Sequence, residues 1–83
     1  MATTYNNLYL DLRTELRRAG DEEATQSARE LVCAAAAKTR EEFVRDGALY
    51  ASPEVEENAR ELVKRHLAGE PVAYLIGEWE FYG

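Results

Sequence analysis

An all-α fold, a small bundle of four to five helices ending in the start of a β-strand, is what this 83-residue sequence predicts. Three observations carry the prediction. Apolar residues recur every three or four positions from Thr4 to Ala68, the period of a helix with one face buried. Cap residues punctuate that pattern at regular intervals. The last fifteen residues then break it, with three of the five glycines, one of the two prolines and the only tryptophan.

The first helix is expected from about Thr4 to Ala19, with Tyr5, Leu8, Leu12, Leu16 and Ala19 on one face. Thr3 or Thr4 can cap its start, and Gly20 stands where a glycine ends a helix. Asp21 offers the next cap, with Glu22 and Glu23 in the first turn, where carboxylates favour the helix dipole. The second helix buries Ala24, Ala28, Leu31, Val32 and Ala35, and its Ala34–Ala37 run combines high helix propensity with a thin surface.

Thr39-Arg40-Glu41-Glu42 reads as a capping box opening a short third helix that Asp46-Gly47 closes. Ser52-Pro53 opens the fourth, proline standing where its missing N–H costs nothing. Val55, Ala59, Leu62, Val63 and Leu67 form its inner face, and Glu56–Arg60 and Glu61–Arg65 are i,i+4 ion pairs on its outer face. Gly69 ends it, and Pro71 starts a further short turn to about Ile76. From Gly77, Trp79 and Phe81 alternate with Glu78 and Glu80 as in a strand. A lone strand has no partner and exposes an apolar patch, so residues 77–83 are expected to begin a linker or β-hairpin leading into a further domain. The expected division is therefore a helical domain over 1–76 and the start of that linker over 77–83.

Composition narrows the function by exclusion. Thirteen alanines lie among the apolar 46% of the chain, so the core is thin and needs close helix approach. The net charge is −6 and no quarter of the chain is strongly basic, which argues against a grip on nucleic-acid phosphates. The longest near-apolar run, Leu31 to Ala37, is too short to span a bilayer. One cysteine excludes an internal disulfide, and with no secretory leader pattern after Met1 the expectation is a cytoplasmic protein. His66 is the only histidine and reads as a surface or half-buried helix residue; Cys33 reads as a buried inert thiol. The pairs Glu22–Glu23, Glu41–Glu42 and Glu56–Glu57 diverge around their helices and make poor catalytic dyads. No phosphate loop, glycine-rich nucleotide fingerprint or nucleophile–histidine–carboxylate arrangement appears, so catalytic, cofactor-binding and metal residues are all expected to be none.

The tail carries the function. Gly69-Glu70-Pro71, Tyr74 and Gly77, followed by Glu80-Phe81 and Gly83, resemble the segment joining the two domains of the protein-(glutamine-N5) methyltransferases. In that family a helical N-terminal domain ends in Gly-Glu-Pro-x-x-Tyr-x-x-Gly-x-x-Glu-Phe-x-Gly, then a β-hairpin and a Rossmann-like domain that binds S-adenosylmethionine. Ala28-Arg29-Glu30-Leu31-Val32 and Thr39-Arg40 resemble its second helix and following turn more loosely, because the family has bulkier aliphatics where this chain has Cys33 and four alanines. The resemblance implies a domain that helps position a peptide-chain release factor while its own catalytic domain methylates the glutamine of the Gly-Gly-Gln loop. It also implies that residues 1–83 alone bind no cofactor and are inactive. Gly69, Glu70, Pro71, Tyr74, Gly77, Glu80, Phe81 and Gly83 would form the interdomain motif, with Tyr74 and Phe81 filling the seam. Two alternatives remain: the same family acting on a large-subunit ribosomal protein, and a free-standing helical adaptor that binds a partner through Trp79–Tyr82.

Overall fold

The computed structural model describes the backbone of residues 2–82 and the side chains of residues 2–79. Five helices form the bundle: α1 Tyr5–Arg18, α2 Ala24–Ala36, α3 Arg40–Arg45, α4 Pro53–Leu67 and α5 Val72–Tyr82. Their caps are largely the expected ones. Thr4 accepts the Asn7 amide at 3.1 Å, and Ser52 accepts the Val55 amide at 3.1 Å ahead of Pro53. The capping box of α3 is complete, with Glu42 N–H donating to Thr39 Oγ1 at 3.1 Å and Thr39 N–H donating to Glu42 Oε1 at 2.8 Å. Gly20 ends α1 at φ 91° and Gly69 follows α4 at φ 117°, both in the region glycine enters without steric cost.

Asp21 departs from its expected role. The first helical residue of α2 is Ala24, capped by Glu23 without a side-chain bond, and Asp21 instead accepts the Glu23 amide in the turn before it. Beyond α2 the chain turns through Ala37 at φ 54°, a left-handed position held by an alanine, with Lys38 N–H donating to Cys33 O at 3.0 Å.

The core lies where α1, α2 and α4 meet. Leu8, Leu12, Leu16, Ala24, Ala28, Leu31, Val32, Ala59, Leu62 and Val63 are all buried, as the helical period predicts, and Leu75 of α5 completes the group. The ends of the expected stripes fray: Ala19 is exposed, Leu67 is 40% exposed in the last turn of α4, and Tyr5 and Val55 are only partly covered. A second aromatic layer was not anticipated. Tyr9 is buried edge-on against Phe43, centroids 5.8 Å apart, and the Arg13 and Arg29 guanidiniums flank its ring at 5.6 and 5.9 Å.

Two long-range features close the N-terminal end. Thr3–Thr4 (β1) pairs antiparallel with Tyr50–Ala51 (β2), Thr3 opposite Ala51. The first amides of α1, on Tyr5 and Asn6, donate to Leu49 O and Gly47 O, so a distant loop satisfies donors that a helix start leaves free. Asp46 takes Lys38 Nζ at 2.8 Å and the Arg45 guanidinium at 2.9 and 3.0 Å, which fastens α3 beneath them.

The strand expected from Gly77 does not form; α5 is helical through Tyr82. Val72, Leu75, Ile76 and Trp79 recur at helical spacing and turn toward α2, whereas Ala73, Tyr74 and Gly77 face outward. That stripe outweighs a two-residue alternation, and with no neighbouring strand only a helix satisfies the backbone internally. The radius of gyration, 11.5 Å, is close to the ~12 Å of a compact 83-residue domain, so α5 lies against the bundle rather than projecting from it.

Candidate functional site

Of the residues expected to form an interdomain motif, the described ones lie at the α4–α5 corner and on the outer face of α5. Gly69 reverses the chain, and the Glu70 amide donates back to Arg65 O at 3.2 Å. Pro71 O accepts the Leu75 amide at 3.1 Å, so proline stands immediately before α5 with no N–H to satisfy. The Glu70 carboxylate is gripped by Arg65 through two hydrogen bonds, from Nη2 at 2.7 Å and Nε at 2.8 Å. Arg65 Nη2 and Nη1 also donate to Glu78, at 3.1 and 3.4 Å. The i,i+4 pair expected between Glu61 and Arg65 is therefore not the one made: the guanidinium turns to carboxylates beyond its helix, where a planar fork finds a bidentate partner. The hydrogen bonds from Arg65, with its charge behind them, hold the Glu70 carboxyl below its ordinary range.

His66 is half-buried in the same corner. Its Nδ1 lies 2.8 Å from Glu70 O and its Nε2 3.2 Å from Asp21 Oδ2, bridging the turn after α4 to the turn before α2. Burial opposes the charge on Asp21, but the Glu23 amide and the His66 ring together outweigh it and keep that carboxyl below its usual value. These contacts give His66 a structural role at the junction of two turns.

Tyr74 is 58% exposed, and a Cβ placed on Gly77 would meet nothing within 4 Å. Gly77 sits inside α5 without a positive φ, where the strand was expected to begin. The structure thus brings Gly69, Glu70 and Pro71 together in one turn and leaves Tyr74 and Gly77 on the helix surface that follows it. Glu80 and Phe81 continue the backbone of α5; their side chains, and Gly83, lie outside the described residues.

On its other side α5 forms one wall of a groove of about 1050 Å³. Cys33, Ala34 and Ala37 of α2 and the corner after it line the opposite wall, and Ile76 and Trp79 face them. Trp79 packs partly on the core, and the remaining side chains of the Trp79–Tyr82 patch expected for an adaptor lie outside the described residues. Cys33 is only partly buried and opens onto this groove, which corrects its expected enclosure; the partial burial pushes its thiol above the ordinary range. Both signs of charge rim the groove, Glu22, Glu23 and Glu30 against Arg29, Lys38 and Arg40. Among the described residues no cluster of His, Cys, Asp or Glu is arranged to hold a metal ion, and no helix is long and apolar enough to cross a membrane.

The class of domain is given by comparison with known families, which assigns this five-helix bundle to the helical N-terminal domains of methyltransferases. Residues 8–77 match the family model of the PrmC N-terminal domain, and the chain belongs to that family, the N-terminal domain of the PrmC protein-glutamine methyltransferase. The match takes in Gly69, Glu70, Pro71, Tyr74 and Gly77. Comparison with curated proteins and with solved structures finds no match.

Proposed function

We propose that this domain engages the protein substrate of an S-adenosylmethionine-dependent methyltransferase acting on the glutamine of the Gly-Gly-Gln loop in peptide-chain release factors. The observation that carries the reading is the family match over residues 8–77, a span that takes in Gly69, Glu70, Pro71, Tyr74 and Gly77. The residues of this chain do not fit the cofactor. Gly69 closes a helix and Gly77 lies within one, and neither belongs to a glycine-rich loop between a strand and a helix. Cofactor binding and methyl transfer are accordingly assigned to a separate catalytic domain, in the cytoplasm where release factors work.

The physical rationale is orientation. A glutamine amide nitrogen is a weak nucleophile, and its reaction depends on being held at the right distance and angle. A second contact surface on the same enzyme makes capture of a large substrate partly intramolecular and raises its effective concentration at the active site. The test is deletion of residues 1–68 from the full-length enzyme, with kinetics on an intact release factor and on a short Gly-Gly-Gln peptide. The expected result is a raised apparent KM for the intact protein and little change for the peptide, which cannot reach the bundle. Equal loss on both substrates with cofactor binding preserved would make the bundle a stabilising cap instead.

A further inference from the structure

The groove beside α5 selects no single occupant, since its rim carries both signs of charge in near balance. The Arg65 cluster is more specific. One guanidinium at the end of α4 reaches two separate carboxylates, Glu70 in the turn and Glu78 one and a half turns into α5. All three side chains are about one-third exposed, at 32%, 35% and 31%. Ion pairs at such exposure add little to stability, so the arrangement is better explained by the geometry it imposes. The α4–α5 corner contains its own pivot, Gly69 at φ 117°, and a Cβ there would touch nothing within 4 Å. Without the Arg65 side chain, the turn keeps its His66 contact and α5 keeps its apolar stripe against α2, but no side-chain ion pair ties the body of α5 to α4.

We infer that Arg65 is a positioning residue, a joint that locks α5 to α4 through Glu70 and Glu78 and so fixes the direction in which the backbone leaves the bundle. The inference rests on the substrate-engaging reading above. Leverage makes the pitch matter: α5 has eleven residues and is about 16 Å long, so a tilt of about 10° at the turn moves its far end by about 3 Å. A displacement of that size is enough to misplace a substrate held at both the bundle and the active site. It does not touch a substrate held at the active site alone.

The test uses the full-length methyltransferase, an intact release factor and a short Gly-Gly-Gln peptide. Arg65→Met keeps the apolar stem and removes the charge; Glu78→Gln cuts only the α5 leg and leaves the turn intact. Both should raise the apparent KM for the intact protein about tenfold, with peptide kinetics within about twofold and the melting temperature lowered by no more than about 3 °C, as expected for a part-exposed ion pair. Arg65→Glu combined with Glu70→Arg and Glu78→Arg, which reverses both legs of the joint, should restore part of the loss. The joint is refuted if Glu78→Gln leaves the intact-protein KM at the wild-type value, or if either variant slows both substrates in proportion to lost stability. Deletion of residues 1–68 separates this from the wider reading. If deletion discriminates between the substrates and Glu78→Gln does not, the joint alone fails. If deletion does not discriminate, the substrate-engaging role fails with it.

Discussion

Leu12 is the position where the packing can be tested most directly. It is fully buried at the middle of α1, facing the contact with α2 and α4. Leu12→Ala removes three carbons, about 0.8 kcal/mol each in transfer free energy, and adds a cavity term, for a total of about 2.5–5 kcal/mol. A domain of this size has about 4–12 kcal/mol of total stability, so the substitution removes a large part of it. At roughly 4–8 °C per kcal/mol, the melting temperature should fall by at least 10 °C. Leu67→Ala is the matched control: the same atoms are removed from a side chain 40% exposed in the last turn of α4, and the cost should stay below about 1 kcal/mol. Urea titration of the 83-residue chain followed by far-ultraviolet circular dichroism measures both, with slopes compared to exclude a change in the denatured state. A wild-type midpoint for Leu12→Ala, or an equal loss from Leu67→Ala, would show that the faces of α1 and α4 are wrongly assigned.

Ala37→Gly should stabilise the chain by up to about 1 kcal/mol, because Ala37 occupies a left-handed φ of 54° that glycine adopts without strain; a lower urea midpoint would refute this. Gly77→Ala should also stabilise the chain, by about 0.5–1 kcal/mol, since the glycine lies within a helix and a methyl there meets nothing within 4 Å; an unchanged or lower midpoint would count against the helix. The pH dependence follows from Asp21, Asp46, Glu42 and Glu70, all held below their ordinary values of 3.8 and 4.5. The unfolded chain binds more protons in that range, so stability is fully present above about pH 5 and is lost as pH falls through the folded values. The melting temperature should drop steadily from pH 5 to about pH 2, with a shallower slope in Asp46→Asn; equal slopes would remove the Lys38–Asp46–Arg45 cluster from the account.

What was legible in the sequence was local. Thr4, Thr39 and Ser52 cap as their side chains dictate, and Leu8, Leu12, Leu16, Leu31 and Leu62 are buried because a 3.6-residue period leaves them one face. The features that escaped join residues far apart in the chain. Nothing near Tyr5 announces that Gly47 and Leu49 will accept the first amides of α1, and nothing near Asp21 announces His66. Arg65 had a carboxylate four residues away in Glu61, but the bend at Gly69 brought Glu70 and Glu78 into better geometry. The end of the chain failed for a different reason. The alternation of Trp79 and Phe81 involves two aromatics, whereas the stripe Val72, Leu75, Ile76 and Trp79 spans more residues and packs against a helix already in place. For the candidate site, motif spacing located the corner, while the partners that hold it were visible only in three dimensions.

The motif divides into two halves with different physical causes. Gly69, Glu70 and Pro71 are accounted for within the domain: the left-handed turn requires the glycine, Arg65 grips the glutamate, and the proline begins α5. Tyr74 and Gly77 are not. An aromatic ring 58% exposed contributes little to this bundle, and a glycine within a helix weakens it while making room for nothing among the described residues. Both lie on the outward side of α5, opposite the stripe that faces α2. On the proposed function, that face is where the methyltransferase's own catalytic domain comes close, the tyrosine offering an apolar body with a polar tip and the glycine allowing backbone to approach. Gly77→Ala separates the two demands, because it should strengthen the isolated chain and weaken the full-length enzyme. A substitution beneficial to both would mean that nothing packs on this face.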